Sequence, residues 1–143
     1  NYRAFHNSLI NLYLMLIYYM QKKCKICIKS HEIIIELKDT KTAELIWSNL
    51  PMISEANTWG EEVYFYTNIT NALEVDSQQR MTLGEIAYWP TGKAIAIGYG
   101  RTPISIKEEI RLADKCNVWG KTKYDLKKLK DVTSGERVFI KKC

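Results

Sequence analysis

The chain has only two histidines, three prolines and four cysteines in 143 residues, and each shortage removes a class of function. His6 lies in an atypical N-terminal stretch. His31 falls in what reads as a hairpin turn, where it is expected to be solvated. No nucleophile elbow, glycine-rich phosphate loop or H-E-x-x-H pair occurs, so the corresponding hydrolase, nucleotide and zinc-protease readings lack their working parts. The cysteines at 24, 27, 116 and 143 suggest no disulfide framework, which fits a reducing cytoplasm. Cys24 and Cys27 have C-x-x-C spacing, but zinc would need a second pair and a redox pair needs a helix start. In a strand, residues three apart point to opposite faces, so one thiol is expected inside, the other outside, and no metal is expected between them. Two pairs of adjacent carboxylates, Glu61-Glu62 and Glu108-Glu109, read as solvated charges rather than as an acid–base couple. No repeat, low-complexity segment or cofactor motif is present.

What is present suits one globular domain, with 46% hydrophobic and 26% charged residues. The net charge of +5 is local. Arg3, Lys22, Lys23, Lys25 and Lys29 supply it within residues 1–30, while the remaining chain holds 16 basic and 16 acidic side chains. Residues 31–114 are acidic and 115–143 lysine-rich. With no basic–aromatic stripe or binding motif beside the charge, no nucleic-acid partner is expected. Leu9–Met20 is an apolar run of twelve residues, short of the ~20 that span a bilayer. Met20 reads as the true start, with residues 1–19 a leader of upstream or expression-derived sequence. A helix docked on the domain and a signal or membrane anchor are the other readings. The domain itself is expected over 20–143.

From Cys24 the pattern alternates. Ile26 and Ile28, then Ile33, Ile35 and Leu37 fall on one face of two strands around a tight turn. Asp39-Thr40 is an expected helix cap. Ala43, Ile46, Trp47 and Leu50 follow at helical spacing, and Pro51 ends the helix, which is expected to plug one end of a sheet with Trp47 as its main packing group. Strands are expected at Glu62–Tyr66, Glu85–Trp89, Lys93–Tyr99 and Cys116–Thr122, and a last one carries Val138 and Ile140. Residues 67–83 read as loop, and Leu126–Lys130 as a short helical turn. Many short strands with one capping helix predict a mainly β, closed barrel.

The segment Gly84–Pro103 is the most distinctive. It reads as a hairpin, with strands Glu85–Trp89 and Lys93–Tyr99 joined by Pro90-Thr91-Gly92. Ile95, Ile97 and Tyr99 fall on one face of the second strand, and Ala94, Ala96 and Gly98 on the other. The small face is expected to leave room for a ligand, ringed by Trp59, Tyr66, Tyr88, Trp89, Arg101 and Thr102, with Pro103 holding the loop.

Asn57-Thr58-Trp59-Gly60, Val63-Tyr64-Phe65, Gly84-Glu85-Ile86-Ala87-Tyr88-Trp89-Pro90 and Gly100-Arg101-Thr102-Pro103 resemble the small prokaryotic cyclophilin-like family, in order and spacing, from about Lys25 to Lys142. The resemblance implies a closed cyclophilin-like β-barrel with helical caps. True cyclophilins are peptidyl-prolyl isomerases whose arginine, in a Phe-His-Arg pattern, stabilises the twisted amide. No such triplet occurs here, and the matching strand Glu62–Tyr66 has no arginine; Arg80 and Arg101 could substitute only by convergence. Two readings follow. One is a binding domain that holds a small molecule or a peptide segment in an aromatic cleft. The alternative is a weak isomerase with Arg101 as donor.

Overall fold

The computed structural model describes residues 1–143, with side chains described for all but residues 18–20. Helix α1 (Tyr2–Met20) precedes the domain, and every side chain of residues 1–17 is exposed. Strands β1 (Lys23–Ile28) and β2 (His31–Leu37) then bury alternate residues, and Cys24 is enclosed while Cys27 is partly open. Ile33, Ile26 and Ile140 lie opposite one another across three strands and are fully buried. Helix α2 (Lys41–Ser48) is capped by Thr40, whose hydroxyl accepts from the Ala43 amide at 3.1 Å.

The other strands are β3 (Met52–Glu55), β4 (Asn57–Thr58), β5 (Glu62–Tyr66), β6 (Gln78–Met81), β7 (Glu85–Trp89), β8 (Ala94–Gly98), β9 (Ile110–Lys121) and β10 (Arg137–Lys142). Neighbours run β3-β10-β1-β2-β9-β7-β8-β5-β4, with β6 on β9. β3 pairs β10 and β4 pairs β5, and only Ala56 separates β3 from β4. The chain itself therefore turns from one end of the sheet to the other at Ala56, which makes a nearly closed barrel. The Ser54 hydroxyl donates to the Tyr66 carbonyl across the remaining seam at 2.7 Å. Phe65, Tyr88, Ile95, Ile97 and Trp119 fill the interior with the β1–β2 isoleucines.

A second, smaller core lies outside the barrel wall. Met81, Ala87, Ala96, Leu112, Cys116 and Val118 pack there, where β6 and the first half of β9 cover the outer face of the β7–β8 hairpin. The small residues of β8 permit that cover: a Cβ on Gly98 would meet Ile110 Cγ2 at 2.5 Å. The room expected over Ala94, Ala96 and Gly98 is thus partly taken by Ile110 and Leu112.

Four further expectations are corrected. Residues 67–83 contain β6, hidden by the polar run Gln78-Gln79-Arg80, and β9 begins six residues before Cys116. The principal buried side chain of α2 is Ile46, whereas Trp47 is half-buried beneath the ammonium groups of Lys142 and Lys22. His31 is buried rather than solvated, because the turn is made by Lys29-Ser30 and His31 opens β2 facing inward. Its Nε2 lies 2.6 Å from Asp131 Oδ1 and its Nδ1 lies 2.5 Å from the Tyr124 hydroxyl. A carboxylate only accepts, so Nε2 carries the proton and Nδ1 accepts from Tyr124 in the neutral ring. The bond from His31 holds the Asp131 carboxyl below its ordinary range and ties the 3-10 helix Leu126–Asp131 to the first hairpin.

Two outcomes are expected from this packing. Deleting residues 1–20 while keeping Gln21, whose amide donates to the Leu37 carbonyl at 3.1 Å, should change the thermal midpoint by no more than about 2 °C; calorimetry on both chains checks this. Gly98→Ala should push Ile110 off the barrel and cost about 1–3 kcal/mol in urea denaturation.

Candidate functional site

The outer face of the barrel forms a trough. Residues on β8 lie between those of β5 and β7, so Ala94 sits between Tyr66 and Trp89, and Ala96 between Tyr64 and Ala87. Strands are ~4.8 Å apart, which separates the two aromatic-bearing strands by ~10 Å over a floor of methyl groups. A cleft of about 180 Å³ opens in this trough. Its floor is Ala96. Glu62 and Tyr64 stand on one side and Trp89 on the other, Leu112, Ala113 and Cys116 come from β9, and Trp59 comes from the turn before β5.

Local backbone features hold the two indoles. Gly60 has φ +58°, and a Cβ there would lie 2.8 Å from the Arg101 carbonyl oxygen, so the Trp59–Glu61 turn needs glycine to dock on the 100–103 loop. The Glu61 amide donates to that same carbonyl at 2.8 Å. The Trp89 ring folds against Gly92, where a Cβ would come within 2.3 Å of it. Its Nε1 donates to Asp114 Oδ2 at 3.2 Å.

Glu62 is the chemically unusual member. Its side chain is buried at 6% exposure, and Oε1 has no hydrogen-bond partner. Burial pushes its carboxyl up from an ordinary 4.5 to about 7. The neighbouring Cys116 thiol is pushed up to about 12, by burial first and then by the charges of Glu62 and Asp114, so it is not a nucleophile at neutral pH. Tyr64 is likewise raised, first by burial. The solvated reading of the adjacent carboxylates is therefore corrected at Glu62. It also changes at Glu109, which takes two bonds from Arg111 at 2.8 and 3.0 Å and is held down at about 2.

Of the expected site residues, Trp59 and Trp89 meet in the cleft. Tyr88 does not: neighbours in a strand face opposite ways, so Tyr88 enters the core with Ile86 and its hydroxyl donates to the Ile69 carbonyl at 2.5 Å. Tyr66 shares the outer face with Tyr64, its ring perpendicular at 5.8 Å, but borders a separate groove with Ile53 and Ser54 at the barrel seam. Arg101 is exposed, and its guanidinium donates to the Lys107 carbonyl and, at 3.5 Å, to that of Ser105. Thr102 is buried with its hydroxyl on the Arg111 carbonyl, and Pro103 is exposed beside Gly60. These three build the loop that supports the Trp59 turn; they do not line the cleft. Glu62, Tyr64 and Cys116 are the members that sequence reasoning missed. The alternation Glu62, Tyr64, Tyr66 was the available signal for the first two.

Among the described residues no group of three or more histidine, cysteine or acidic side chains is arranged to hold a metal. No helix among them is long and apolar enough to cross a membrane. A family model described as Cyclophilin-like matches residues 22–141. The solution structure of a hypothetical protein from Archaeoglobus fulgidus is similar at 36% identity and a TM-score of 0.74, covering 86% of this chain and 95% of that one. No curated protein matches.

The folded chain binds the Glu62 proton more tightly than the unfolded chain does. Stability therefore falls as pH rises from about 4.5 to about 7, and the full cost, about 3 kcal/mol, is present above that range. Glu62→Gln removes the ionisation and keeps the shape. It should stabilise the protein at pH 8 clearly more than at pH 4.5 in urea denaturation; a gain equal at both would place the carboxyl in solvent.

Proposed function

Because the chain belongs to the cyclophilin-like family, we propose that its barrel serves as a binding domain that holds a small molecule in the outer-face cleft without turnover. The observation that carries this reading is the buried, partnerless Oε1 of Glu62 in a cleft walled by Trp59, Tyr64 and Trp89. A buried polar atom left without a partner costs roughly 1–3 kcal/mol. A ligand with a hydrogen-bond donor at one end and an apolar body would recover that cost and cover the rings. The volume of about 180 Å³ is near that of a cavity of ~150 Å³ that admits benzene. It suits a small molecule, and of a peptide segment it would accept one side chain. The Arg101 guanidinium, the donor that an isomerase would need, is engaged by carbonyls of its own loop, which favours binding over catalysis.

A thermal-shift screen of small metabolites on the intact chain tests the reading. For any hit, Trp89→Ala should weaken binding about thirtyfold, since a buried aromatic anchor commonly contributes ~2 kcal/mol. Tyr88→Phe, a change inside the barrel, should leave affinity within about twofold. Equal losses from both would point to unfolding rather than to a site.

A further inference from the structure

We infer that the ligand of this cleft is a small alkylammonium cation, whose N–H group meets Glu62 while its alkyl part lies between Trp59, Tyr64 and Trp89. The inference rests on the binding reading above and names its ligand class. Three independent features of the cleft agree on it.

The first is the charge of the lining. Glu62 is its one carboxylic acid, and no lysine, arginine or histidine is among the lining residues. A neutral donor would satisfy Oε1 but would leave the ionised carboxylate uncompensated in a place where charge is expensive. A cation supplies both the proton donor and the opposite charge, and a charge-assisted bond of this kind is about twice as strong as a neutral one. The second is the walls. Three aromatic side chains, Trp59, Tyr64 and Trp89, line the cleft, and aromatic rings attract an organic cation, most strongly when desolvated. Trp89 cannot swing away freely, because Gly92 and Asp114 hold its indole. The third is the neighbouring titratable groups. Tyr64 on β5 and Cys116 on β9 are both raised by burial and remain neutral, and Asp114 on β9, turned to the Trp89 indole, adds negative charge near the rim. Nothing around Glu62 competes with an incoming cation, and the nearby charge favours one. The size limit excludes large polyamines from full enclosure and fits an amine with a short branched chain.

Isobutylammonium and isobutanol make a matched pair, alike in shape and different in charge. Each is titrated into the full chain at pH 8 in phosphate, a buffer without amines, and the indole N–H resonances of Trp59 and Trp89 are followed by NMR. The expected result is saturable shifts of both indoles, with the ammonium binding at least tenfold tighter than the alcohol. In Glu62→Gln the ammonium should fall to the level of the alcohol. Trp89→Leu, which keeps apolar volume and removes the ring, should weaken the ammonium more than the alcohol. N-acetyl-lysine methylamide carries the same ammonium on a peptide side chain. Tighter binding than isobutylammonium would name a lysine side chain as the source, and weaker binding a free amine. Equal affinity for ammonium and alcohol, or an unchanged ratio in Glu62→Gln, overturns the cation and leaves the cleft standing as a binding site. Absence of any indole shift from either probe overturns both.

Discussion

The close approach of Ile110 to the backbone of Gly98 is the contact on which the arrangement of this domain depends. Were β8 furnished with ordinary side chains on its outer face, the first half of β9 could not lie across it. β6, which pairs only with β9, would then have no support. The small face of β8 is thus a seat for a second layer, and the second core of Met81, Leu112, Cys116 and Val118 exists because of it. The cleft is what this seating leaves uncovered. Ile110 and Leu112 fill the trough at the Gly98 end, and the space persists at Ala96, between the aromatic residues of β5 and β7.

Rigidity around the cleft comes from the way its walls are anchored. β5 and β8 are inner members of a ring closed by the chain segment through Ala56, so neither can fray as an edge strand does. On the other side, Asn117 of β9 donates to the Thr42 hydroxyl at 3.1 Å and to the Ala72 carbonyl at 2.9 Å, while its carbonyl accepts from the Glu74 amide at 2.8 Å. One buried amide thereby ties α2 and the long loop before β6 to the strand that carries Cys116. A site with a buried carboxyl needs such support, since a loose surround would let water in and remove the cost that gives Glu62 its unusual proton affinity.

Strands with strict alternation were readable in the sequence. Ile26 and Ile28, then Ile33, Ile35 and Leu37, and the pair Val138 and Ile140 face the core as their period of two requires. β3, β4 and β6 were not, because two to four residues of mixed polarity carry no period, and their pairing is decided by distant partners. The site was legible only in part for a related reason. Trp59 and Trp89 stand out as aromatics beside glycines. Tyr88 stands out equally, and only the parity of the strand separates it from Trp89. Glu62 follows another glutamate, which suggests solvent; the β9 residues that share its cleft, Leu112, Ala113 and Cys116, lie about fifty residues on. His31 misleads similarly, since the groups that enclose it, Tyr124 and Asp131, lie about a hundred residues away.

The neighbour relation between β1 and β10 has a consequence for how the domain comes into being. Cys24 to Ile28 pair with Lys142 to Val138, and the Cys143 amide reaches the Lys23 carbonyl at 3.0 Å. During translation the first hairpin emerges with a row of unpaired edge groups on β1, and its buried isoleucines have no interior to enter. At 5–20 residues per second the last strand follows only after roughly ten seconds, and it must also clear the ribosome before the ring can join. For that interval the nascent chain carries an open, sticky edge rich in β-branched side chains. Lys25 on that strand and Lys29 in the turn after it supply the kind of charge that discourages two such edges from meeting.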